Sequence, residues 1–170
     1  DRGYVYDSDQ SRIWVDDSDI VKLPVNADRS WHHELYFDGS DVGLTSNSED
    51  IDAFAMRTDG SLLISTIGGV SVAGVRNSTG GDLLRFVPTS TGNQTRGRWE
   101  MFLDASDVGI SNRENIDAVS ELADGRLVIS LGSHGHLPGI GYVRSEDQSV
   151  LTPTSLGYVS RGNWDQYMDG

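Results

Sequence analysis

The chain has 170 residues, a formal net charge of −13 at pH 7 and no cysteine. An acidic charge of this size repels nucleic acids and anionic membranes, and the lack of cysteine excludes disulfides and thiolate zinc sites. The sequence has no apolar run of roughly 18 residues, the length that a membrane-spanning helix needs, so we expect no membrane insertion. Its 20 aspartates fit a salt-tolerant surface or calcium binding, because calcium takes oxygen ligands from loops.

The chain repeats its own sequence at an interval of 65 to 66 residues. Residues 36–44 return as residues 102–110, and Ile51-Asp52-Ala53 returns as Ile116-Asp117-Ala118. Repetition at a fixed interval is typical of stacked or radial repeat proteins. We therefore divide one all-β domain, residues 1–170, into a partial repeat at 1–30, whole repeats at 31–98 and 99–163, and a restarting repeat at 164–170.

Each whole repeat contains the pattern of a β-hairpin. In the first repeat, apolar segments at 51–57 and 62–65 flank Asp59-Gly60, and the second repeat has the same arrangement around Asp124-Gly125. An Asp-Gly pair between two such segments favours a type I′ turn, in which both central residues have positive φ angles. We therefore predict two antiparallel strands joined by a type I′ turn in each repeat.

Each repeat also contains two further strand patterns. The first pattern covers 83–87 in one repeat and includes Val150-Leu151 in the other, and we predict that this strand ends at the Pro-Thr-Ser sequence that follows. The second pattern begins at Trp99 in one repeat and at Trp164 in the other. About four strands per repeat predict propeller-like antiparallel repeats, since radial repetition protects sheet edges. A β-sandwich of the two repeats is the alternative. Propellers typically need about four units, so we expect the terminal strands to mediate self-association.

Aspartates occur at matched positions of the two repeats. Carboxylates at strand ends in neighbouring loops are the ligands that calcium prefers, so the sequence predicts calcium as a cofactor. The candidate ligands are Asp38, Asp41, Asp50, Asp52, Asp104, Asp107 and Asp117. Two alternatives stay open: aspartates cap turns by accepting hydrogen bonds from the backbone, and two acids can form a catalytic pair.

The matched segments resemble tandem repeats of large secreted bacterial proteins. The resemblance rests on residues 36–44, 49–53 and 83–90, and residues 15–22 are similar to a late-repeat segment of the same family. It implies an extracellular or cell-surface location and a propeller-like or otherwise β-rich array, and it implies no catalytic residues. The second repeat differs, with Ala105 in place of Gly39 and Asn115 in place of Asp50, which weakens the expected metal site there.

Several aromatic and histidine residues stand out from the acidic background. Exposed aromatic rings stack on sugars, so Trp14 and Tyr158 are the candidate glycan-binding residues. Trp99 and Trp164 share one repeat position and are predicted to pack in the core. Two histidine clusters occur once each and are candidate zinc or copper ligands or solvated loop residues. These clusters are His32-His33 and His134-Gly135-His136.

The sequence as a whole predicts an extracellular structural or adhesive β-repeat protein that is stabilised by calcium and has no catalytic activity. A carbohydrate-binding module is the first alternative, and an acid-pair glycoside hydrolase is the second. An enzyme normally needs one asymmetric site, whereas the matched aspartates form symmetric ones. The sequence contains no Gly-x-Ser-x-Gly, His-Glu-x-x-His or phosphate-loop motif.

Overall fold

The computed structural model describes residues 2–7, 9–24 and 32–170, so Trp31 at the start of the first repeat lies outside the described residues. In the described part the chain is all-β, with several antiparallel sheets, none of them closed, and three short 3₁₀ segments. The predicted all-β class is confirmed. The strands are β1 Arg2–Tyr6, β2 Arg12–Asp16, β3 Ile20–Lys22, β4 Glu34–Phe37, β5 Ile51–Met56, β6 Leu62–Thr66, β7 Leu83–Ser90, β8 Arg96–Leu103, β9 Ile116–Glu121, β10 Leu127–Leu131, β11 Gly135–Leu137, β12 Gly141–Val143, β13 Gln148–Ser155 and β14 Arg161–Met168.

Two four-stranded sheets form most of the fold. The first sheet has the order β5-β6-β7-β8, and the second sheet has the equivalent order β9-β10-β13-β14. The second unit carries an additional hairpin, β11–β12, between β10 and β13. The strand that contains Trp99 pairs with β7, so it completes the first sheet before the chain enters the second. Strands β1–β2 and β3–β4 form two separate pairs ahead of the first sheet.

The predicted hairpins are present, but the predicted turn type is wrong. Gly60 has a φ of 81° and Gly125 a φ of 84°, whereas the aspartate before each glycine does not have a positive φ. In the first turn the backbone N–H of Arg57 donates to the carbonyl of Ser61 at 2.8 Å, and Gly60 N–H donates to Arg57 at 3.0 Å. This pattern is that of a longer hairpin loop with one left-handed glycine rather than a two-residue type I′ turn.

The predicted strand ends at Pro-Thr-Ser are also wrong. Strand β7 continues to Ser90 and strand β13 to Ser155, each through its proline. The register of each strand shifts directly after the proline, at Pro88 and at Pro153. A β-bulge accommodates proline because the residue there need not donate a ladder hydrogen bond. The bulge therefore lets both strands run past a residue that usually ends them.

The first sheet is buried on both faces. Alternate side chains point to opposite faces of a strand, so each strand contributes to two cores. On one face, Leu63 and Leu103 lie in a core shared with the second sheet. On the other face, Leu62 and Phe86 pack with Phe37 of β4. The second sheet supplies these residues to the shared core: Ile116, Leu127, Ile129, Leu131, Leu151 and Trp164.

The two repeated tryptophans are core residues, as predicted. Trp99 and Trp164 are each 5% exposed. The indole N–H of Trp99 donates to the carbonyl of Val42 at 3.0 Å, and that of Trp164 donates to the carbonyl of Val108 at 2.7 Å. Each indole thereby ties the last strand of its sheet to the loop that precedes that sheet. Among the described residues, no helix has the length and apolar character that crossing a membrane requires.

Candidate functional site

The loop after β4 contains the first pair of predicted calcium ligands. One oxygen of Asp38 accepts hydrogen bonds from the backbone N–H and hydroxyl of Ser40, at 3.1 and 2.7 Å. Asp41 accepts a hydrogen bond from the backbone N–H of Thr95 at 2.9 Å. The Thr95 hydroxyl accepts from the backbone of Asp38 at 2.9 Å and donates to the carbonyl of Gly92 at 2.7 Å. These contacts latch the loop to the turn between β7 and β8.

The loop after β8 repeats this latch with the second pair of predicted ligands. Asp104 accepts a hydrogen bond from the hydroxyl of Ser106 at 2.7 Å. Asp107 accepts from the backbone N–H of Ser160 at 2.9 Å, and the Ser160 hydroxyl accepts from Asp104 N–H at 3.0 Å and donates to Gly157 at 2.7 Å. All four carboxylates therefore accept hydrogen bonds: those of Asp41 and Asp107 join distant segments, and those of Asp38 and Asp104 hold their own loops together. The matched sequences of the two turns are the signal that could have indicated these partners.

A second repeated clamp involves three aspartates that were not among the predicted ligands. Asp82 accepts hydrogen bonds from the backbone N–H groups of Thr79 at 2.7 Å and Ala105 at 2.8 Å. Asp19 makes the equivalent bonds to Asp16 and Gly39, both at 2.9 Å. Asp147 completes the series with Arg144 at 2.8 Å and Gly170 at 3.2 Å. Each carboxylate holds its own turn together and also binds the start of the following loop.

Burial and hydrogen bonding shift the pKa values of these three clamp carboxylates in different directions. Asp82 is 4% exposed, and burial raises its pKa although two backbone N–H groups favour the ionised form. Burial likewise raises the pKa of Asp19. For Asp147, the hydrogen bond from Arg144 and then that from Gly170 lower the pKa. The three equivalent positions therefore share their hydrogen-bond geometry but differ in the direction in which the pKa is shifted.

Asp52 and Asp117 lie where the first strands of the two sheets pack against each other. Burial and then the charge of Asp117 raise the pKa of Asp52. The side-chain amide of Asn115 donates a hydrogen bond to Asp52, while its own Oδ1 is buried without a hydrogen-bond partner. At the other end of the same strands, Arg57 makes two hydrogen bonds of 2.8 Å to the carboxylate of Glu121. The two sheets are thus linked by polar contacts at both ends of their first strands.

Two adjoining hollows lie beside the N-terminal hairpin. The first, here called the tryptophan hollow, has a volume of about 350 Å³ and is lined by Trp14, Val15, Asp16, Asp19, Asp38 and Ser40. The second, the aspartate hollow, has a volume of about 270 Å³ and is lined by Asp16, Asp17, Ser18, Ser40, Leu44, Thr45, Ser46, Asn47 and Asp50. The structure thus brings the predicted residues Trp14, Asp38 and Asp50 to one region of the surface.

Trp14 belongs to an exposed aromatic group on the β1–β2 hairpin. It is 67% exposed, and its ring meets that of Tyr4 edge-on with a centroid distance of 5.7 Å. The ring of Tyr6 also meets that of Tyr4 edge-on, with a centroid distance of 5.5 Å. Tyr158 has a different role, because its hydroxyl accepts a hydrogen bond from the backbone of Arg76 at 2.7 Å. The two predicted glycan-binding residues therefore have different surroundings, one against the hairpin and one against the connection between β6 and β7.

The histidines and carboxylates do not form a recognisable metal centre in the part of the chain that the structure describes, where no three His, Asp or Glu side chains are placed to hold one ion. His32 contacts Glu34 at 2.8 Å, and His33 contacts the carbonyl of Tyr6 at 3.0 Å. His134 accepts a hydrogen bond from the backbone of Ser145 at 3.3 Å. Calcium binding and transition-metal binding both stay predictions.

No family model, curated protein or solved structure matches this chain. The resemblance to secreted bacterial repeats therefore stays a prediction, and the function has to be argued from the geometry of the chain itself.

Proposed function

We propose that this chain is an extracellular structural or adhesive β-repeat protein with propeller-like units. The observation that carries the proposal is the threefold Asp19, Asp82 and Asp147 clamp, which binds each unit to the start of the next loop. These carboxylates recur at matched positions inside one chain, and at each position they accept hydrogen bonds from backbone N–H groups at a connection. A chain that uses its recurring carboxylates in this way is suited to holding units at a fixed separation.

The strength of the clamp supports this role. A hydrogen bond to a charged group contributes about 1.5–3 kcal/mol, and Asp82 makes such bonds to Thr79 and Ala105. Because Asp82 is buried, water cannot replace these bonds if the carboxylate is removed. The clamp acts together with the shared apolar core and the Arg57–Glu121 ion pair. The core and the ion pair join the two sheets directly, and the clamp fixes the start of the loop that leads from the first sheet to the second.

Distance measurement between two spin labels tests the proposed rigidity. The chain has no cysteine, so a Thr58→Cys, Ala123→Cys variant carries one label in each exposed hairpin turn. We expect double electron–electron resonance to give one narrow distance distribution, and Asp82→Ala to broaden it. Asp147→Ala is the matched control, because its clamp to Gly170 lies beyond both labelled turns. A broad distribution in the unsubstituted chain, or one that Asp82→Ala leaves narrow, would contradict the proposal.

Carbohydrate binding is a second candidate function, supported by the tryptophan hollow. The indole of Trp14 offers an apolar face, and Asp16, Asp38 and Ser40 line the same hollow with oxygen atoms that can accept bonds from sugar hydroxyls. Aromatic stacking beside hydrogen-bonding groups is a combination suited to a sugar ring. The hollow lies in the N-terminal region, outside the two four-stranded sheets that repeat each other.

Titration with a panel of soluble glycans tests this second function. In a Trp31→Phe background, we expect a binding glycan to quench tryptophan fluorescence, and Trp14→Ala to abolish the change because Trp99 and Trp164 are buried. Tyr142→Ala is the matched control, since it removes a 63% exposed ring from the β11–β12 hairpin. If the panel causes no quenching, or if the two variants respond alike, the tryptophan hollow is not a glycan site.

Calcium stabilisation is a separate part of the proposal. Support comes from the aspartate hollow, which is lined by Asp16, Asp17 and Asp50. Carboxylate oxygens are the ligands that calcium prefers. A ligand that binds only the folded chain raises its melting temperature. We therefore expect calcium, but not magnesium, to raise the melting temperature of chelator-treated protein, and Asp50→Ala to remove the increase. No increase would leave the aspartates with the hydrogen-bonding roles described above.

A further inference from the structure

The hairpin turns of the two sheets contain the same Asp-Gly pair but hold its carboxylate differently. An aspartate before a glycine is chemically labile, because the glycine has no Cβ to hinder its backbone nitrogen as that nitrogen approaches the aspartate side chain. The sequence contains four such pairs: Asp38-Gly39, Asp59-Gly60, Asp124-Gly125 and Asp169-Gly170. The contacts around each pair decide whether it can react.

The clamp aspartates hold two of the four pairs. The backbone N–H of Gly39 donates to Asp19 at 2.9 Å, and that of Gly170 donates to Asp147 at 3.2 Å. Gly39 is also closely packed, since a Cβ there would collide with the carbonyl oxygen of Ser18. Each of these nitrogens has to leave its hydrogen bond before it can approach the preceding aspartate.

The carboxylate of Asp59 is anchored to a neighbouring strand. Ser61 donates to its Oδ1 through the backbone N–H at 3.0 Å and through the hydroxyl at 2.6 Å. Arg85 of β7 donates to its Oδ2 at 2.6 Å and also binds the Ser61 hydroxyl at 3.0 Å. Three hydrogen bonds therefore have to break before the Asp59 carboxyl can turn toward the nitrogen of Gly60.

Asp124 lacks this anchor, because the second unit has different residues at both anchoring positions. Arg126 stands in place of Ser61, and the buried Val150 stands in place of Arg85. Among the described residues, only Arg126 donates hydrogen bonds to the Asp124 carboxylate, at 3.2 Å from its backbone N–H and at 2.9 Å from its Nε. Both residues belong to the same turn, and the Asp124 side chain is 55% exposed. The carboxyl of Asp124 is therefore not fixed to the body of the sheet.

We propose that Asp124 is a site of spontaneous isomerisation to isoaspartate, ahead of the matched Asp59. The nitrogen of Gly125 attacks Cγ of the protonated Asp124 carboxyl, a C–N bond forms, and the carboxyl hydroxyl leaves as water with the amide proton. Water then adds to either carbonyl of the resulting succinimide ring, which restores aspartate or leaves the backbone running through Cγ as isoaspartate. The water that is released is regained, so the reaction needs no other reactant.

Isoaspartate lengthens the turn between β9 and β10 by one backbone atom. Hydrogen bonds from the Leu122 N–H to the Arg126 carbonyl at 2.8 Å, and from the Gly125 N–H to Leu122 at 2.9 Å, now close this turn. The preceding residue, Glu121, binds Arg57 across the two sheets. The modification therefore alters the second hairpin beside a contact between the sheets. The inference goes beyond the proposed function, because it depends only on the chemistry of the two turns.

Incubation of the whole chain in water enriched in a heavy oxygen isotope tests the proposal, because each succinimide that hydrolyses takes up one heavy atom. After transfer to ordinary water, trypsin separates the turns into peptides 58–76 and 114–126 for mass spectrometry. We expect peptide 114–126 of the folded chain to gain label several-fold faster than peptide 58–76. In chain unfolded by urea, the two peptides should gain label at similar rates.

Asp124→Glu is the matched control within the second turn. The longer side chain keeps the charge but disfavours ring closure, so peptide 114–126 should stop gaining label although it still contains Asp117. Continued labelling at the original rate would overturn the assignment to Asp124.

Two variants of the first turn test the anchor itself. Arg85→Val introduces the residue found at the matched position of the second unit, and Ser61→Ala removes the anchoring hydroxyl. Each should speed the labelling of peptide 58–76, with peptide 114–126 unchanged as the internal reference for a folded chain. The proposal is overturned if the two peptides of the folded chain label equally fast, or if neither variant speeds labelling of the first turn. It is also overturned if peptide 114–126 stays unlabelled while the urea-unfolded chain is labelled.

Discussion

The first and second sheets share their strand order and most of their register, but the first is covered on two faces and the second on one. Phe102 and Leu103 of the first sheet are 8% and 0% exposed, whereas Tyr167 and Met168 at the equivalent positions of the second are about half-exposed. The same repeat position can therefore be core or surface, depending only on whether a further unit packs on it. Position in the repeat fixes the direction of a side chain, and its neighbours decide its burial.

The largest difference should come from truncating the equivalent residues Leu103 and Met168. Leu103→Ala removes a fully buried side chain from the shared core and should lower the free energy of unfolding by about 2–5 kcal/mol. Met168→Ala removes a half-exposed side chain and should change it by less than about 0.5 kcal/mol. Urea denaturation of dilute protein, followed by tryptophan fluorescence, measures both. Similar losses for the two variants would mean that the Met168 side chain is covered within one molecule.

The next largest effect should come from the Asp82 clamp. Asp82→Ala leaves the backbone N–H groups of Thr79 and Ala105 without their acceptor in a buried position. We expect the free energy of unfolding to fall by about 2 kcal/mol or more. Asp147→Ala is the matched control and should cost less, because its partners Arg144 and Gly170 are exposed and water can replace the lost acceptor. Equal losses in the same denaturation assay would show that the burial of the Asp82 clamp adds nothing to its contribution to stability.

A smaller, pH-dependent effect is expected at Asp52. Burial and the charge of Asp117 raise its pKa, so the ionised carboxyl is less stable in the folded chain than in the unfolded chain. Its protonated form favours folding below the unfolded-state pKa of about 3.9, and this contribution is lost as the pH rises through the raised folded-state pKa. Asp52→Asn should therefore gain stability relative to the unsubstituted chain as the pH rises toward neutrality.

This expectation is tested by measuring the free energy of unfolding of the unsubstituted chain, Asp52→Asn and Asp117→Asn from the unfolded-state pKa of aspartate up to neutral pH. Asp117→Asn removes the like charge and should give a weaker gain in the same direction. Parallel curves for the unsubstituted chain and Asp52→Asn would show that burial of Asp52 has no energetic consequence.

The smallest effect should come from Tyr158→Phe, which removes a contact of the second unit that has no counterpart in the first. The equivalent residue in the first unit is Asn93, so the bond from Arg76 to the Tyr158 hydroxyl has no counterpart there. Because Tyr158 is exposed, water can replace the lost partner, and we expect a loss of less than about 1 kcal/mol. A loss as large as that of Asp82→Ala would identify this contact as a main link between the units.

The sequence was sufficient for the parts of the fold that depend on local pattern. Alternating apolar residues and the 65-residue interval predict the hairpin strands, and Trp99 and Trp164 are recognisable as core residues from their shared position. The type of the Asp59-Gly60 turn was not predictable from the glycine alone. The Ser61 hydroxyl and backbone N–H both bind the Asp59 carboxylate, and these bonds lower the pKa of Asp59 to about 2. The conformation of such a turn depends on these side-chain contacts as well as on its two central residues.

The candidate site was less predictable because its contacts join residues far apart in the chain. Asp41 meets Thr95, and Asp107 meets Ser160, across more than fifty residues. No local pattern near either aspartate distinguishes a hydrogen-bond acceptor from a metal ligand, since both uses need the same oxygen atoms. The tryptophan hollow has the same difficulty, because Trp14 and Asp38 come from separate strand pairs. Only the matched turns at Thr95 and Ser160 carried a usable signal in the sequence.

The connections at 67–82 and 132–147 have equal length but fold differently, since the first contains no strand and the second forms the β11–β12 hairpin. Both end at a clamp aspartate, Asp82 or Asp147, that fixes the return of the chain into its sheet. Each connection also places apolar side chains in a core, Val70, Val72 and Val75 in the first connection and Leu137 and Val143 in the second. Evolution, or a protein engineer, can vary the exposed residues of these connections while the anchoring carboxylate and the buried apolar residues are kept, and a new surface can be grafted onto an unchanged body.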